Sequence, residues 1–317
     1  MITNQEVIDF LSAKAALSLA AIEKEANLSA STLTKAISGQ RVLNSKHLQA
    51  LEPVLIQYGL NEYKNRKARV ISIVNHKGGV GKTTTTINFG RALNLLGYRI
   101  LMIDMDSQGN LSQSLGVDSP EQQLLESLVH NQPLPITAIS PNFDLVPSNL
   151  QLAKYERDLT HSPSGALRLK TALNAVLSQY DFILIDCPPA LNIFTNSALI
   201  ASTSALVVLE PETSAVKGVN NLFELIEEIR QFFNERLAID GILMTRVDRR
   251  LLLHKEIIQS VRKDLAAFTV FTTEIRLNAA LKESQYAQED IFRYNNSSPG
   301  AQDYKQLAAE YLAIHAH

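Results

Sequence analysis

The sequence predicts an α/β fold, a doubly wound and mainly parallel sheet, preceded by a small all-α unit. Three observations predict it. Beyond residue 68, apolar runs without polar alternation recur between helical stretches, the pattern of strands buried on both faces of a helix-covered parallel sheet. The sixty residues before that carry only helical periodicity, as in Val7, Ile8 and Leu11 and again in Leu48, Leu51, Val54 and Leu55. A glycine-rich loop also lies between the first apolar run and the first long helix that follows it, where sheets of this class bind ligands.

In order, the predicted strands are 70–74, 100–103, 182–185, 205–209 and 239–244, and the predicted helices of this part are 83–96 and 219–233. With 317 residues, 45% of them hydrophobic, the chain can bury a core of this size and an appendage. The expected division is an all-α domain over 1–60, a basic linker over 61–69 and the α/β domain over 70–317.

Composition excludes several functions. Cys187 is the single cysteine, so neither an internal disulfide nor a cysteine-ligated cluster can form. No run of eighteen apolar residues occurs, and Glu6 and Asp9 stand where a signal segment would carry its cations, which predicts a cytoplasmic protein. A net charge of −2 confines any nucleic-acid binding to local patches, such as 64–69 or the cations of the last third; solvated helix faces are the alternative reading of both.

Within the first sixty residues, a helix over 18–26, a left-handed turn at Asn27 and a second helix from an N-cap at Ser29 to Ser38, stopped by Gly39, are predicted. The segment resembles the helix-turn-helix of repressor-type DNA-binding domains, with Ala26, Leu28 and Leu33 as packing positions. That resemblance implies that Ala30, Ser31, Thr34 and Lys35 face base edges and that Gln40 and Arg41 reach phosphates. A helical dimerisation module without DNA contact is the other reading.

The loop reads Lys77-Gly78-Gly79-Val80-Gly81-Lys82-Thr83-Thr84. Between strand and helix this is a phosphate-binding loop of the P-loop NTPase type. Glycines let backbone N–H groups approach the anion, Lys82 reaches the β and γ oxygens, and Thr83 offers a hydroxyl to Mg²⁺. Carboxylates close two further strands. Asp186 is the expected partner of the magnesium through water, Asp106 a metal-site residue that positions or deprotonates the attacking water, and Asp104 its support beside the metal. Each alone could merely cap a turn; with the loop they form a hydrolytic set.

These segments, with 210–218, 245–248, 274–285 and 298–304, resemble the ParA-type partition ATPases of the deviant Walker class. The resemblance implies ATP and Mg²⁺, and an ATP-dependent homodimer in which Lys77 crosses to the partner's phosphates. It also implies nucleotide contacts from Thr245 and Arg246, and non-specific DNA binding through Arg250 and Arg276, supported by Lys255, Arg262 and Lys263. A ParB-like centromere-binding partner would stimulate hydrolysis on the nucleoid, and the first domain would add operator binding and autorepression.

Thr245-Arg246-Val247-Asp248 is not the guanine-reading signature, and Thr273-Glu274-Ile275 stands where members often have a proline beside the adenine, so no residue is singled out for the base. An ATP-sensing, sequence-specific transcriptional regulator is the alternative function. A membrane-attached switch is disfavoured because residues 304–317 lack a basic amphipathic face.

Overall fold

The computed structural model describes residues 2–14, 17–65, 67–213 and 215–315. They form two compact units, Met1–Lys67 and Ala68–His317.

The first unit holds five helices: α1 (Asn4–Ala13), α2 (Leu19–Glu25), α3 (Thr32–Ile37), α4 (Ser45–Gln57) and α5 (Leu60–Asn65). Their apolar faces meet around Val7, Phe10, Ile22, Leu33, Leu51 and Leu55, all fully buried. Thr3 and Glu6 close a capping box on α1, and Ser18 caps α2. Asn27 takes the left-handed turn and Gly39 ends α3 at positive φ. Helix α5 occupies much of the stretch read as a linker; Arg66 and the Lys64 side chain lie outside the described residues.

The start of α3 differs from the sequence reading. Ser31, not Ser29, stands at the N-cap, in a left-handed conformation (φ 64°) that keeps its own hydroxyl from capping. The buried carboxylate of Glu23 takes over, accepting from Ser31 N at 3.0 Å and Leu33 N at 2.7 Å. Glu23→Ala strips two helix-end amides of their acceptor, and an unsatisfied buried donor costs about 1–3 kcal/mol. The expected result is destabilisation of this unit by about that amount, with loss of amide-exchange protection at Leu33; unchanged protection would remove Glu23 from the cap.

The second unit is one eight-stranded sheet in the order β3-β4-β2-β5-β1-β6-β7-β8, parallel except for β3 against β4. The strands are β1 (Arg69–Val74), β2 (Ile100–Asp104), β3 (Thr137–Ser140), β4 (Phe143–Val146), β5 (Phe182–Asp186), β6 (Ser204–Leu209), β7 (Ala238–Val247) and β8 (Val270–Arg276). The helices are α6 (Lys82–Leu95), α7 (Asn110–Gln113), α8 (Leu124–His130), α9 (Glu156–His161), α10 (Arg168–Leu173), α11 (Ile193–Ala201), α12 (Ala215–Phe232), α13 (Leu252–Asp264), α14 (Ala279–Tyr286), α15 (Ile291–Asn295) and α16 (Pro299–His315).

Each central strand feeds two cores by alternation. Val70 and Val74 of β1 join one apolar layer, and Ile71 and Ile73 the other. This double burial is why the sequence shows unbroken apolar runs. Gly90 lets α6 pack closely on β5, where a Cβ would stand 3.0 Å from Leu184 Cδ1 and the leucine would have to give way. Edge strand β8 is covered by side chains. Arg262 donates to Val270 O and Phe271 O, Glu310 accepts from Thr272 N and Thr273 N, and Asp303 accepts from Arg276 N. Among the described residues no helix is long and apolar enough to cross a membrane.

Candidate active site

Parallel strands deliver their carboxyl ends to one rim, and β1, β2 and β5 bring the motifs together there. Asp104 and Asp186 stand opposite each other in the β2–β5 register, and β1 pairs with β5 on its other side. The loop after β1 then turns into α6. Gly79 (φ 78°) and Gly81 (φ 92°) adopt the left-handed conformation that the turn demands and glycine accepts.

Lys82 is buried, and its Nζ donates to Lys77 O at 2.8 Å, folding back over the loop. Asn75 ties the loop's front to the sheet. Its Oδ1 accepts from Lys77 N, and its Nδ2 donates to Val208 O on β6. Thr245 Oγ1 at the end of β7 donates to Val80 O at 2.6 Å and also reaches Leu209 O. The loop is therefore braced at its front through β6 and at Val80 through β7.

Thr83 Oγ1 donates to Asp186 Oδ2 at 2.7 Å, and Thr86 Oγ1 approaches the other carboxylate oxygen at 3.4 Å. Burial pushes the Asp186 carboxyl up, and neighbouring Asp104 adds to the effect. Burial also pushes Asp104 up, to about 7, against the hydrogen bonds from Ser112 that favour its ionised form. Burial lowers the Lys82 ammonium, while Asp186 opposes that shift. The Asp186 and Asp106 carboxylates beside one buried lysine offer hard oxygen donors whose charge a divalent cation would balance. The threonine–aspartate pair beside the loop fits Mg²⁺.

Asp106 and Asp104 separate in role. Asp106 lines the cleft, with Oδ1 accepting from Gln108 N. Asp104 is fully buried behind it and does not line the cleft. It accepts from Ser112 N, Ser112 Oγ and Asp106 N, anchoring the segment that carries Asp106. The sequence reading of Asp104 as a group beside the metal is corrected to this anchoring contact. Gly109 completes the turn at φ 68°, where a Cβ would meet Ser148 O at 2.8 Å.

The cleft encloses about 450 Å³ and runs from Gly78–Thr84 past Thr245 and Arg246 to Leu277, Asn278, Leu281 and Gln285. Gln285 Nε2 donates to Thr84 Oγ1, closing α14 onto α6. Lys77 is paired with Glu212, and Arg246 with Glu210 at 2.9 Å. Glu210, Glu212 and Gln285 had no role in the sequence reading; their segments resembled the family, but their partners lie far away in the chain.

The cations assigned to DNA fall into different environments. Arg250 is 85% exposed and forked onto Asp248, whose carboxyl the guanidinium holds down at about 2. Lys255 and Lys263 are exposed on α13. Arg262 is committed to the β8 carbonyls, and Arg276, at the cleft rim, to Asp303 and Pro299 O. On the first unit, Ser31, Thr34, Lys35 and Arg41 are all exposed.

A phosphate loop braced between β6 and β7, a threonine on a strand-end aspartate and a second acid in the cleft define a P-loop ATPase. The chain matches the AAA domain family AAA_31 over residues 68–239. It is 37% identical over 251 residues to the sporulation initiation inhibitor protein Soj of Bacillus subtilis, covering 77% of this chain and 98% of Soj. It is 35% identical over 252 residues to the chromosome partitioning protein ParA of Caulobacter vibrioides, covering 77% and 94%. Among solved structures, cobyrinic acid a,c-diamide synthase of Mycobacterium smegmatis with bound ADP and magnesium superposes with a TM-score of 0.67 at 30% identity, covering 76% of this chain and 93% of that one. The chain belongs to the Soj/ParA family of P-loop ATPases.

Proposed function

We propose that the chain is a DNA-partition ATPase whose ATP-bound state is a homodimer that holds duplex DNA. The observation that carries this reading is Lys77 at the front of the phosphate loop, with its side chain directed to Glu212 rather than into its own loop. The loop has its own phosphate lysine in Lys82, so a second cation at its mouth suits the phosphates of a second copy.

Phosphates lie against the loop amides and Lys82. Thr83, and Asp186 through water, would hold magnesium, which would supply positive charge against the phosphates. Among the described residues no three His, Cys, Asp or Glu side chains form a cage of their own, as suits a cation shared with substrate phosphates. Asp106 orients the attacking water, and Asp104 keeps Asp106 in place.

The soluble arm of the cycle runs on DNA. Arg250, Lys255 and Lys263 offer exposed charge to phosphates, giving salt-sensitive, sequence-independent affinity for the nucleoid. Arg276 and Arg262 contribute from beside their internal partners. A ParB-like centromere-binding protein would stimulate hydrolysis and release the dimer, segregating plasmid or chromosome. The exposed face of Ser31, Thr34, Lys35 and Arg41 on the first unit supports operator binding and autorepression. It equally favours the second reading, an ATP-sensing regulator.

Fluorescence anisotropy on arbitrary duplex, with and without ATP, separates the two. The partition reading expects ATP-dependent binding that survives deletion of residues 1–67; loss of all binding in that truncation would leave the regulator. In the full chain, Arg250→Ala is expected to weaken binding and reduce the salt slope by about 1, while nucleotide affinity is unchanged. An unaltered slope would take Arg250 off the DNA surface.

A further inference from the structure

Between β7 and α13 the chain carries a surface that neither the cleft nor the core uses. Leu251, Leu252 and Leu253 follow Arg250 directly and are 47%, 68% and 53% exposed; among the described residues no other three consecutive large apolar side chains stand in solvent. A single exposed leucine is ordinary, whereas an exposed run marks a place where something docks. Folding has no use for these three. The buried positions of α13 come after them, at Ile258 and Val261. Leu251 fills the N-cap, where it offers the helix amides no side-chain acceptor.

The run is nonetheless held firmly. Asp248 gathers it: its carbonyl accepts from Leu251 N at 3.1 Å, its Oδ1 accepts from Arg250 N at 3.0 Å, and its own N–H donates to His254 Nδ1 at 3.1 Å. An apolar tip that is already fixed loses little freedom on insertion. Cations border it on both sides, Arg249 and Arg250 before it and Lys255 after it, all exposed. The Asp248 carboxylate is taken up by the Arg250 fork, and Glu256 is the exposed acid that follows. Leucines edged by cations fit a polyanion with an apolar interior within reach, as in duplex DNA, where stacked bases lie between two strands of phosphates. An anionic bilayer combines the same chemistries, but three leucines, like a single acyl chain, hold a membrane only marginally.

We infer that Leu252 and Leu253 form a wedge that enters the minor groove of duplex DNA and parts a base step, while Arg250 and Lys255 hold the neighbouring phosphates. This inference rests on the DNA reading above and adds to it a deformed duplex. Steps that unstack easily, pyrimidine–purine steps above all, are then preferred over the rest.

Anisotropy and end-to-end energy transfer on a short labelled duplex, with the full chain and ATP, test it. The double variant Leu252→Ser, Leu253→Ser is expected to weaken DNA binding about tenfold and to abolish the shortening of the end-to-end distance. Its salt slope should stay unchanged, because no phosphate contact is lost. Leu252→Met with Leu253→Met is expected to keep both affinity and bending, since an apolar tip of similar volume remains. Nucleotide affinity should be untouched in either variant, as these leucines line no part of the cleft. Full DNA affinity in the serine variant, or a duplex left straight by the unaltered chain, would overturn the inference. Binding to phosphatidylserine vesicles that the serines abolish at unchanged DNA affinity would assign the leucines to lipid, and loss of ATP-dependent light scattering without DNA would assign them to a second copy; either result overturns the wedge. Failure of the DNA reading looks different, since the unaltered chain would then show no ATP-dependent anisotropy change on any duplex.

Discussion

Lys82→Ala is expected to abolish measurable nucleotide binding, weakening it at least a hundredfold, or roughly 3 kcal/mol. The ammonium is buried at the loop, donates to Lys77 O and is the cation nearest the Asp186 and Asp106 carboxylates, whose charges act on it. Its removal deletes a charge-assisted contact to phosphate and leaves buried carboxylates facing an incoming tetra-anion. Titration with a fluorescent ATP analogue measures this directly. Near-normal affinity would mean that phosphates do not sit against this loop. A thermal melt accompanies the test, because an alanine that also frees the Lys77 carbonyl could loosen the loop.

The second large effect separates binding from turnover. Asp106→Ala is expected to keep ATP while hydrolysis falls by about a hundred- to a thousandfold, within the range for loss of a positioned proton acceptor. ATP-bound dimers should then accumulate, visible by light scattering. The two acids cannot stand in for each other: Asp106 lines the cleft, whereas Asp104 is enclosed and committed to Ser112 and to the Asp106 amide. Hydrolysis at the original rate would assign the water to another group.

What the sequence made legible was local. Val70–Val74 falls on strand β1, glycines 79 and 81 sit at positive φ, Lys82 and Thr83 open α6, and Asp186 closes β5, because each signal spans only a few consecutive residues. Asn27 and Gly39 were legible for the same reason. Long-range partnerships were not. Glu23 caps a helix eight to ten residues away, Lys77 finds Glu212, and Arg276 finds Asp303, contacts that no periodicity encodes. Strands β3 and β4 are four residues each, and β3 is only half-buried, so they lack the apolar run that announced the central strands. Strand β8 alternates buried and exposed positions and carries Glu274 and Arg276, which obscured it in the same way. The arginines expected to meet DNA show the limit most clearly: the family resemblance grouped Arg250, Arg262 and Arg276 together, yet only Arg250 projects into solvent on an exposed fork.

The side chains that cover β8 also bear on how copies of this chain can associate. A bare outer strand is a template on which another chain can add its own strand, the route by which soluble sheets become fibres. Here the carbonyls of Val270 and Phe271 are taken by Arg262 and the amides of Thr272, Thr273 and Arg276 by Glu310 and Asp303. That border is closed to strand addition, so copies of the chain that meet at this edge must meet through side chains, which can let go.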